Sequence, residues 1–420
     1  MAIANEEPAA RADDGALVPP LPRVSLQAFC ETPEFAATAQ AAATDRRLVK
    51  AQVKVNMGGA AAAVEAFRGA PTPNVILVET AIDREQLLSR LDELAESCDA
   101  GTKVVVVGRT NDIHLYRELM ARGVSEYLVA PISPMSLIEA LSRLYNAPGG
   151  GPIGRVVAVT GAKGGVGAST VAHNLAWSIS RAGGAQCALV DMDLPFGTAG
   201  LNFNQDPPQG VVEALYSPDR LDANLVDRLM SKCAEGLHLL ASSASLDRSF
   251  DLQETAFDTL FDVLRATAPH VVLDVPHGWS AWKKRSLVGA DTVVLVAEPD
   301  LANLRNAKAV LDVLRAARPH DSKPLLVMNR VGAFKRPEIP VDEFCKSLEM
   351  EATLTIACDP KAFGAAANNG QMVAEAEPDH AVAEQLAQLA ALVTGRTQAK
   401  PQKKGMLDPL MAKLRLRKVS

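Results

Sequence analysis

Aromatic residues make up only 4% of this 420-residue chain, against 48% hydrophobic content overall. The core must therefore be built from Val, Leu, Ile and Ala, the residues of buried strands and the helices that cover them. Six cysteines (Cys30, Cys98, Cys187, Cys233, Cys345, Cys358) are scattered with no C-x-x-C pair and no metal-ligand spacing. That excludes a cysteine zinc site and points to a reducing compartment. No apolar run reaches the ~20 residues of a membrane span. The opening MAIANEEPAARADDGALVPP is acidic and rich in Pro and Ala, the opposite of a signal peptide. A cytoplasmic protein with a disordered lead over 1–20 is expected. Positive charge is scarce until the end of the chain. The net charge is −6, yet Arg396, Lys400, Lys403, Lys404, Lys413, Arg415, Arg417 and Lys418 against Asp408 alone give the last segment +7 and the rest −13. An acidic body argues against a broad nucleic-acid surface, so no specific nucleic acid is expected as a partner.

What is present is a strong alternation of apolar runs and helical patterns, in two blocks separated by Asn146–Ala–Pro–Gly–Gly–Gly–Pro152. The first block, 21–147, has strand-like runs at Val24–Phe29, Val53–Val55, Val75–Val78, Val104–Val107 and Glu126–Val129. Helical patterns such as Glu85–Leu94 and Ile113–Arg122 fall between them. The second block, 153–395, has runs at Val156–Thr160, Ala188–Asp191, Leu237–Leu240, Val271–Val275, Thr292–Ala297, Leu325–Asn329 and Leu354–Ile356, then a helical pattern over Ala381–Val393. The expected fold class is α/β, with two doubly wound sheets joined by a linker at 148–152 and followed by a basic tail at 396–420.

Residues 155–170 read RVVAVTGAKGGVGAST, an apolar strand entering a glycine-rich loop and then a helix. That order aims backbone N–H groups and a helix N-terminus at one anion, usually a nucleotide polyphosphate. The pattern G-x-x-x-x-G-K-[ST] is met at Gly167 and Ser169, but Ala162 takes the first-glycine position and Ala168 the lysine position. Lys163 stands before Gly164 and Gly165 instead. In VDMDLPFG (190–197), Asp191 and Asp193 are spaced i, i+2, so on an extended strand end both face one side, one toward a metal and the other toward a water. Asp274 ends the apolar run of VVLDVPHG, where a carboxylate can hold Mg²⁺. Asn329 and Arg330 end another strand, placed to read an adenine edge or simply to terminate it.

The first block resembles a receiver domain of two-component signalling without its chemistry. PNVILVET (73–80) puts Glu79 where that family has its phospho-accepting Asp. GVSEYLVAPIS (123–133) puts Ala130 at the lysine, Gly108 takes the switch hydroxyl, and Cys30 and Glu31 replace the acidic metal-binding pair. An interaction module without phosphotransfer is expected. The second block resembles the ParA/MinD superfamily of deviant Walker-A ATPases. With the receiver-like block, GAKGGVGASTVAHNLAWSIS, VDMDLPFGTAG and DPKAFGAAANNGQMV (359–373) make the whole similar to the CpaE/TadZ family of Flp (tight-adherence) pilus assembly. That resemblance implies an ATP-dependent, dimerising factor that places a pilus machine at a cell pole, meeting its motor ATPase and polar landmark proteins. It implies that Lys163 reaches across a dimer to the partner's phosphates, and that Gly164, Gly165, Val166, Gly167, Ala168, Ser169 and Thr170 wrap the phosphates of ATP. Ser169, Asp191 and Asp274 would serve Mg²⁺, Asp193 the hydrolytic water, and Asn329 with Arg330 the base.

The lysine missing at Ala168 costs a charge-assisted contact of roughly 1.5–3 kcal/mol, on the order of ten- to a hundredfold in affinity. Binding is expected to survive while hydrolysis is slow or absent. A non-hydrolytic scaffold and a division or partition ATPase remain as alternatives. In MLDPLMAKLRLRKVS (406–420), Leu407, Leu410, Met411 and Leu414 form one helical stripe beside basic residues. This leaves open a membrane-surface helix or a solvated tail.

Overall fold

Runs of β-branched residues flanked by helix formers, repeated along the chain, can bury both faces of a strand only beneath helices on either side. The computed structural model describes residues 18–145, 153–182, 185–242, 246, 249–333 and 336–396. It arranges them as two such sheets. Most of the lead (1–17), the linker (146–152) and nearly all of the basic tail, with its Leu407–Leu414 stripe, lie outside the described residues.

The first sheet contains β1 (Ser25–Cys30), β2 (Gln52–Met57), β3 (Val75–Glu79), β4 (Lys103–Gly108) and β5 (Glu126–Val129), all parallel in the order β2-β1-β3-β4-β5. β3 is buried along its whole length. β2 is longer than Val53–Val55 because Gln52, Lys54 and Asn56 interleave with its apolar residues, as an edge strand permits. The helices Arg84–Ala95 and Ile113–Ala121 start at Asp83 and Asp112, each accepting from a backbone N–H inside the first turn.

Glu79, at the end of β3, is buried and fully engaged. Its carboxylate accepts from the Glu31 N–H at 2.7 Å, the Thr32 N–H at 2.8 Å and the Thr32 hydroxyl at 2.6 Å. Glu31 in turn accepts from the Ala81 N–H at 2.7 Å. The corner where a receiver would hold metal and phosphoryl group is closed by these bonds. At position 108 a side chain has no room, because a Cβ would stand 2.4 Å from the Tyr127 hydroxyl, which donates to the Thr110 carbonyl.

The second sheet contains β6 (Arg155–Gly161), β7 (Cys187–Asp191), β8 (Ser231–Ala234), β9 (Leu237–Leu240), β10 (His270–Val275), β11 (Thr292–Ala297), β12 (Leu325–Val331) and β13 (Ala352–Ala357). Their order is β13-β12-β11-β6-β10-β7-β9-β8, parallel except for the β8–β9 hairpin. β8 is absent from the sequence reading because Ser231-Lys-Cys-Ala234 has neither an apolar run nor alternation; only Gly236, at φ +74°, marks the turn. The helix Ala168–Arg181 is buried almost throughout, between the sheet and the helix Ala381–Thr394. Burial of Leu175 and Ile179 stabilises this seam by about 1.5–3 kcal/mol each.

The two units meet through a buried charge cluster. Arg46, in the short turn Arg46–Leu48, forks onto Asp321 with bonds of 2.8 and 2.9 Å and donates to the Gly289 carbonyl at 3.2 Å. Arg47 and Arg318 also bond Asp321, while Arg265 bonds Asp291 at 2.7 Å. The Arg46 and Asp321 side chains are only 5% and 4% exposed. Such a cluster adds little net stability while whole, but removal of one partner strands a buried charge.

Arg46→Ala leaves Asp321 with Arg47 and Arg318 and is expected to lower the unfolding free energy by about 1.5–3 kcal/mol, read by urea denaturation; a change within error would contradict the buried pairing. Incubation with acetyl phosphate and Mg²⁺ should leave the mass of the chain unchanged. Glu79→Ala should destabilise the fold by roughly 2–4 kcal/mol by stripping three donors of their acceptor.

Candidate nucleotide-binding site

β6 lies at the middle of the second sheet, between β11 and β10, where successive crossovers leave on opposite sides. Ligands of open α/β sheets bind at such a switch point, outside the carboxyl ends of the strands. β10 pairs Asp274 with Asp191 of β7 on one side and with Val159 of β6 on the other, so these strand ends are level with the loop.

The loop itself is built as an anion cradle. Gly167, at φ +86°, is the N-cap of the helix Ala168–Arg181 and no side chain caps it, so the first amides of the helix face the loop unpaired by any cap. A Cβ at Gly167 would stand 2.5 Å from the Asn329 side-chain nitrogen, so this close approach requires glycine. Lys163, Gly164 and Gly165 are exposed, and Val166 is buried with its carbonyl accepting from Asn329 at 2.7 Å. Ala168 is half-buried and packs on the core beneath the loop.

Below the loop, the Ser169 hydroxyl donates to Asp274 at 3.2 Å. The other Asp274 oxygen meets His173 Nε2 at 3.1 Å, and His173 Nδ1 meets the Asn202 amide at 2.9 Å. A hydroxyl and a carboxylate side by side at the base of a phosphate loop fit Mg²⁺ with a polyphosphate, and the uncapped amides fit the anion. Thr170 lines a cavity of about 510 Å³ together with Asn329, Arg330, Asp359 and Phe363, opening beside Gly167. This cavity has the size and mixed lining of a nucleobase site.

Two sequence expectations need correction. β7 ends at Asp191, so Asp191 and Asp193 do not face one side of an extended strand. Asp191 is buried and folds the following loop, accepting from the Asp193 N–H at 3.1 Å and the Ala199 N–H at 3.0 Å. Asp193 sits in the turn, half-buried, accepting from the Phe196 N–H at 3.3 Å. Asn329 does not simply end a strand: its amide nitrogen staples β12 to the loop. Arg330 is exposed, at φ +53°, and pairs with Glu298 at 3.2 Å.

Lys163 is paired within the same chain. Its ammonium lies 3.7 Å from Asp300, with the side chain 47% exposed. Exposed pairs of this kind are worth about 0–1 kcal/mol, so Lys163 is free to leave. His173 was legible in principle, four residues after Ser169 on one helix face. His277, which borders the loop, and Lys283, which bonds the His277 carbonyl, follow Asp274 with no recognisable spacing.

Comparisons with known proteins divide along the chain. A profile of the AAA domain family matches residues 154–326. The MinD septum site-determining protein of Helicobacter pylori is 27% identical over 211 residues, spanning 49% of this chain and 75% of that protein. A MinD of Pyrococcus horikoshii solved with Mg-ADP is 18% identical, covers 57% of this chain and 96% of its own, and has a TM-score of 0.50, a likeness of fold. The crystal structure of the pilus assembly protein CpaE from Caulobacter crescentus covers 30% of this chain and 97% of its own, with a TM-score of 0.30. Its sequence is 52% identical. The chain belongs to the CpaE family of pilus assembly proteins. The CpaE match falls on the N-terminal, receiver-like part, and the second sheet has the ParA/MinD-type P-loop NTPase fold. No helix among the described residues is long and apolar enough to cross a membrane.

Burial, and next the Asp274 charge, push the Asp191 carboxyl up to about 6. A carboxyl raised above its unfolded value favours the fold only while protonated, and that contribution is lost as pH rises from about 4 through 6. Relative to wild type, Asp191→Asn should gain up to about 3 kcal/mol as pH climbs from about 4 to about 7.5. Urea unfolding at both pH values measures this, and a pH-independent difference would contradict the raised carboxyl.

Proposed function

We propose that this CpaE-family chain binds ATP with Mg²⁺ in the 161–170 loop and uses the nucleotide to pair two copies, acting as a localisation factor for pilus assembly. The observation that carries the reading is the Ser169–Asp274 bond beneath an uncapped glycine loop. Gly164, Gly165, Val166, Gly167 and Ala168 offer backbone to the phosphates, and Thr170, Asn329 and Arg330 border the base. Ser169 and Asp274 would hold the metal, with Asp191 behind them shaping the loop that carries Asp193. Bound Mg²⁺ supplies charge neutralisation on the phosphates. Asp193 accepts a hydrogen bond from a water and orients it, and Lys163 leaves Asp300 for the phosphates of the partner copy.

Hydrolysis is slow or absent, because Ala168 removes a cation from where negative charge would develop. The expected partners are a second copy, the pilus motor ATPase and polar landmark proteins. The expected place is the cytoplasmic side of the inner membrane at a pole, and peripheral contact through 406–420 is part of this reading. The packing of Ala168 into the core favours a second reading, a scaffold in which ATP is bound but never turned over.

Sedimentation velocity tests the switch. ATP with Mg²⁺ should convert monomer to dimer in the wild type, Lys163→Ala should stay monomeric and weaken ATP binding, and Asp193→Ala should dimerise while losing residual turnover. By linkage, whatever factor ATP adds to dimerisation, dimerisation must return to ATP affinity. If Lys163→Ala dimerises normally, the lysine has no role in trans.

A further inference from the structure

Ala168 leaves the base of the loop without a cation, and Lys163 is drawn toward Asp300 on one flank. A second lysine stands on the other flank. Lys283 lies in the first turn of the helix Ala281–Gly289, whose N-cap Ser280 accepts from the Lys283 N–H. The turn between Asp274 and Ser280 folds this helix back over the strand ends. The Lys283 ammonium donates to the His277 carbonyl at 3.2 Å and stands 3.3 Å from where a Cβ of Gly278 would be. His277 closes on the phosphate loop: its Nδ1 is 3.3 Å from the Gly161 carbonyl, and its ring lies 3.7 Å from where a Cβ of Gly164 would be.

Lys283 is therefore tied, through the His277 carbonyl, to the segment that closes on the loop, and Asp193 is the carboxylate that acts on it electrostatically. Among the described residues no carboxylate oxygen lies within 4.0 Å of the Lys283 ammonium. Burial pulls the ammonium below the usual lysine range, and Asp193 only partly offsets this. A half-buried ammonium whose partners are a neutral carbonyl and the Trp282 ring, 5.3 Å away, has no anionic partner and can still take one. The adjacent Lys284 is exposed and lines the cavity between the two units instead.

Resting on the nucleotide-binding reading above, we propose that Lys283 supplies, from within the same chain, the terminal-phosphate contact that position 168 lacks. The ligand class is a nucleoside triphosphate, recognised at its polyphosphate end. Because the contact is with the terminal group, it discriminates ATP from ADP. Because it comes from the first turn of the helix Ala281–Gly289, the contact links the triphosphate to the 275–283 segment that already meets the loop through His277.

Calorimetric titration of the full chain with ATP and with ADP, each with Mg²⁺, tests this. Lys283→Gln should weaken ATP binding about ten- to a hundredfold and leave ADP binding nearly unchanged. Lys283→Arg should keep most of the preference for ATP, and Lys284→Gln should match wild type for both. Equal losses for ATP and ADP, or no loss, in Lys283→Gln would overturn the assignment. So would a Lys283→Arg chain that folds but no longer prefers ATP, which covers the case of a Gln variant that fails to fold. A wild type that binds ATP while Lys283→Gln is unaffected removes Lys283 alone; a wild type that binds neither nucleotide removes the site reading along with it.

Discussion

The Asp274 carboxylate, one residue before the end of β10, sits between the Ser169 hydroxyl and the His173 ring, and this bridge joins the sheet to the loop and to the central helix. β10 carries Asp274 to the level of the loop only because it is buried between β6 and β7. The helix Ala168–Arg181 presents Ser169 and His173 on one face only because its other side is locked into the core. Asn202 holds His173 in turn, so the site extends into the loop that Asp191 folds. A single carboxylate thus relates the register of three strands to the chemistry of one loop.

Around that centre the charges form two groups. Beyond β11, buried Glu298 takes up Arg330 and Arg336, while the half-exposed Lys163–Asp300 pair costs little to break. Beyond β10, Asp193 and Lys283 act on each other electrostatically without a direct pair. A polyphosphate would enter between them, where each flank holds a cation that can be released or is incompletely used. The receiver-like unit uses its acidic residues differently. Glu79 and Glu31 are spent on backbone amides, and Arg46 and Arg47 are sunk into the junction with the second unit. These side chains are thus engaged inside the fold and at the junction.

The strand ladder was legible because buried parallel strands are unbroken Val, Leu and Ile runs, and the central β11 falls on the expected residues. β8 and the full length of β2 were not, since edge strands carry polar residues and resemble loops. The loop was legible because glycine spacing is a local signal. The corner of Asp191 and Asp193 was misread because an i, i+2 rule holds only while the strand continues, and this one stops at Asp191. Lys283 escaped notice because its approach depends on how the 275–280 turn folds back, and Arg46 because its partners lie some 240 to 275 residues away.

A crystal structure of the full chain grown with Mg²⁺ and a non-hydrolysable ATP analogue addresses the central point most directly. Triphosphate density cradled by 163–169, metal against Ser169 and Asp274, and the base beside Asn329 is the expected result. An empty loop at saturating nucleotide, with Ser169 still bonded to Asp274, would contradict it.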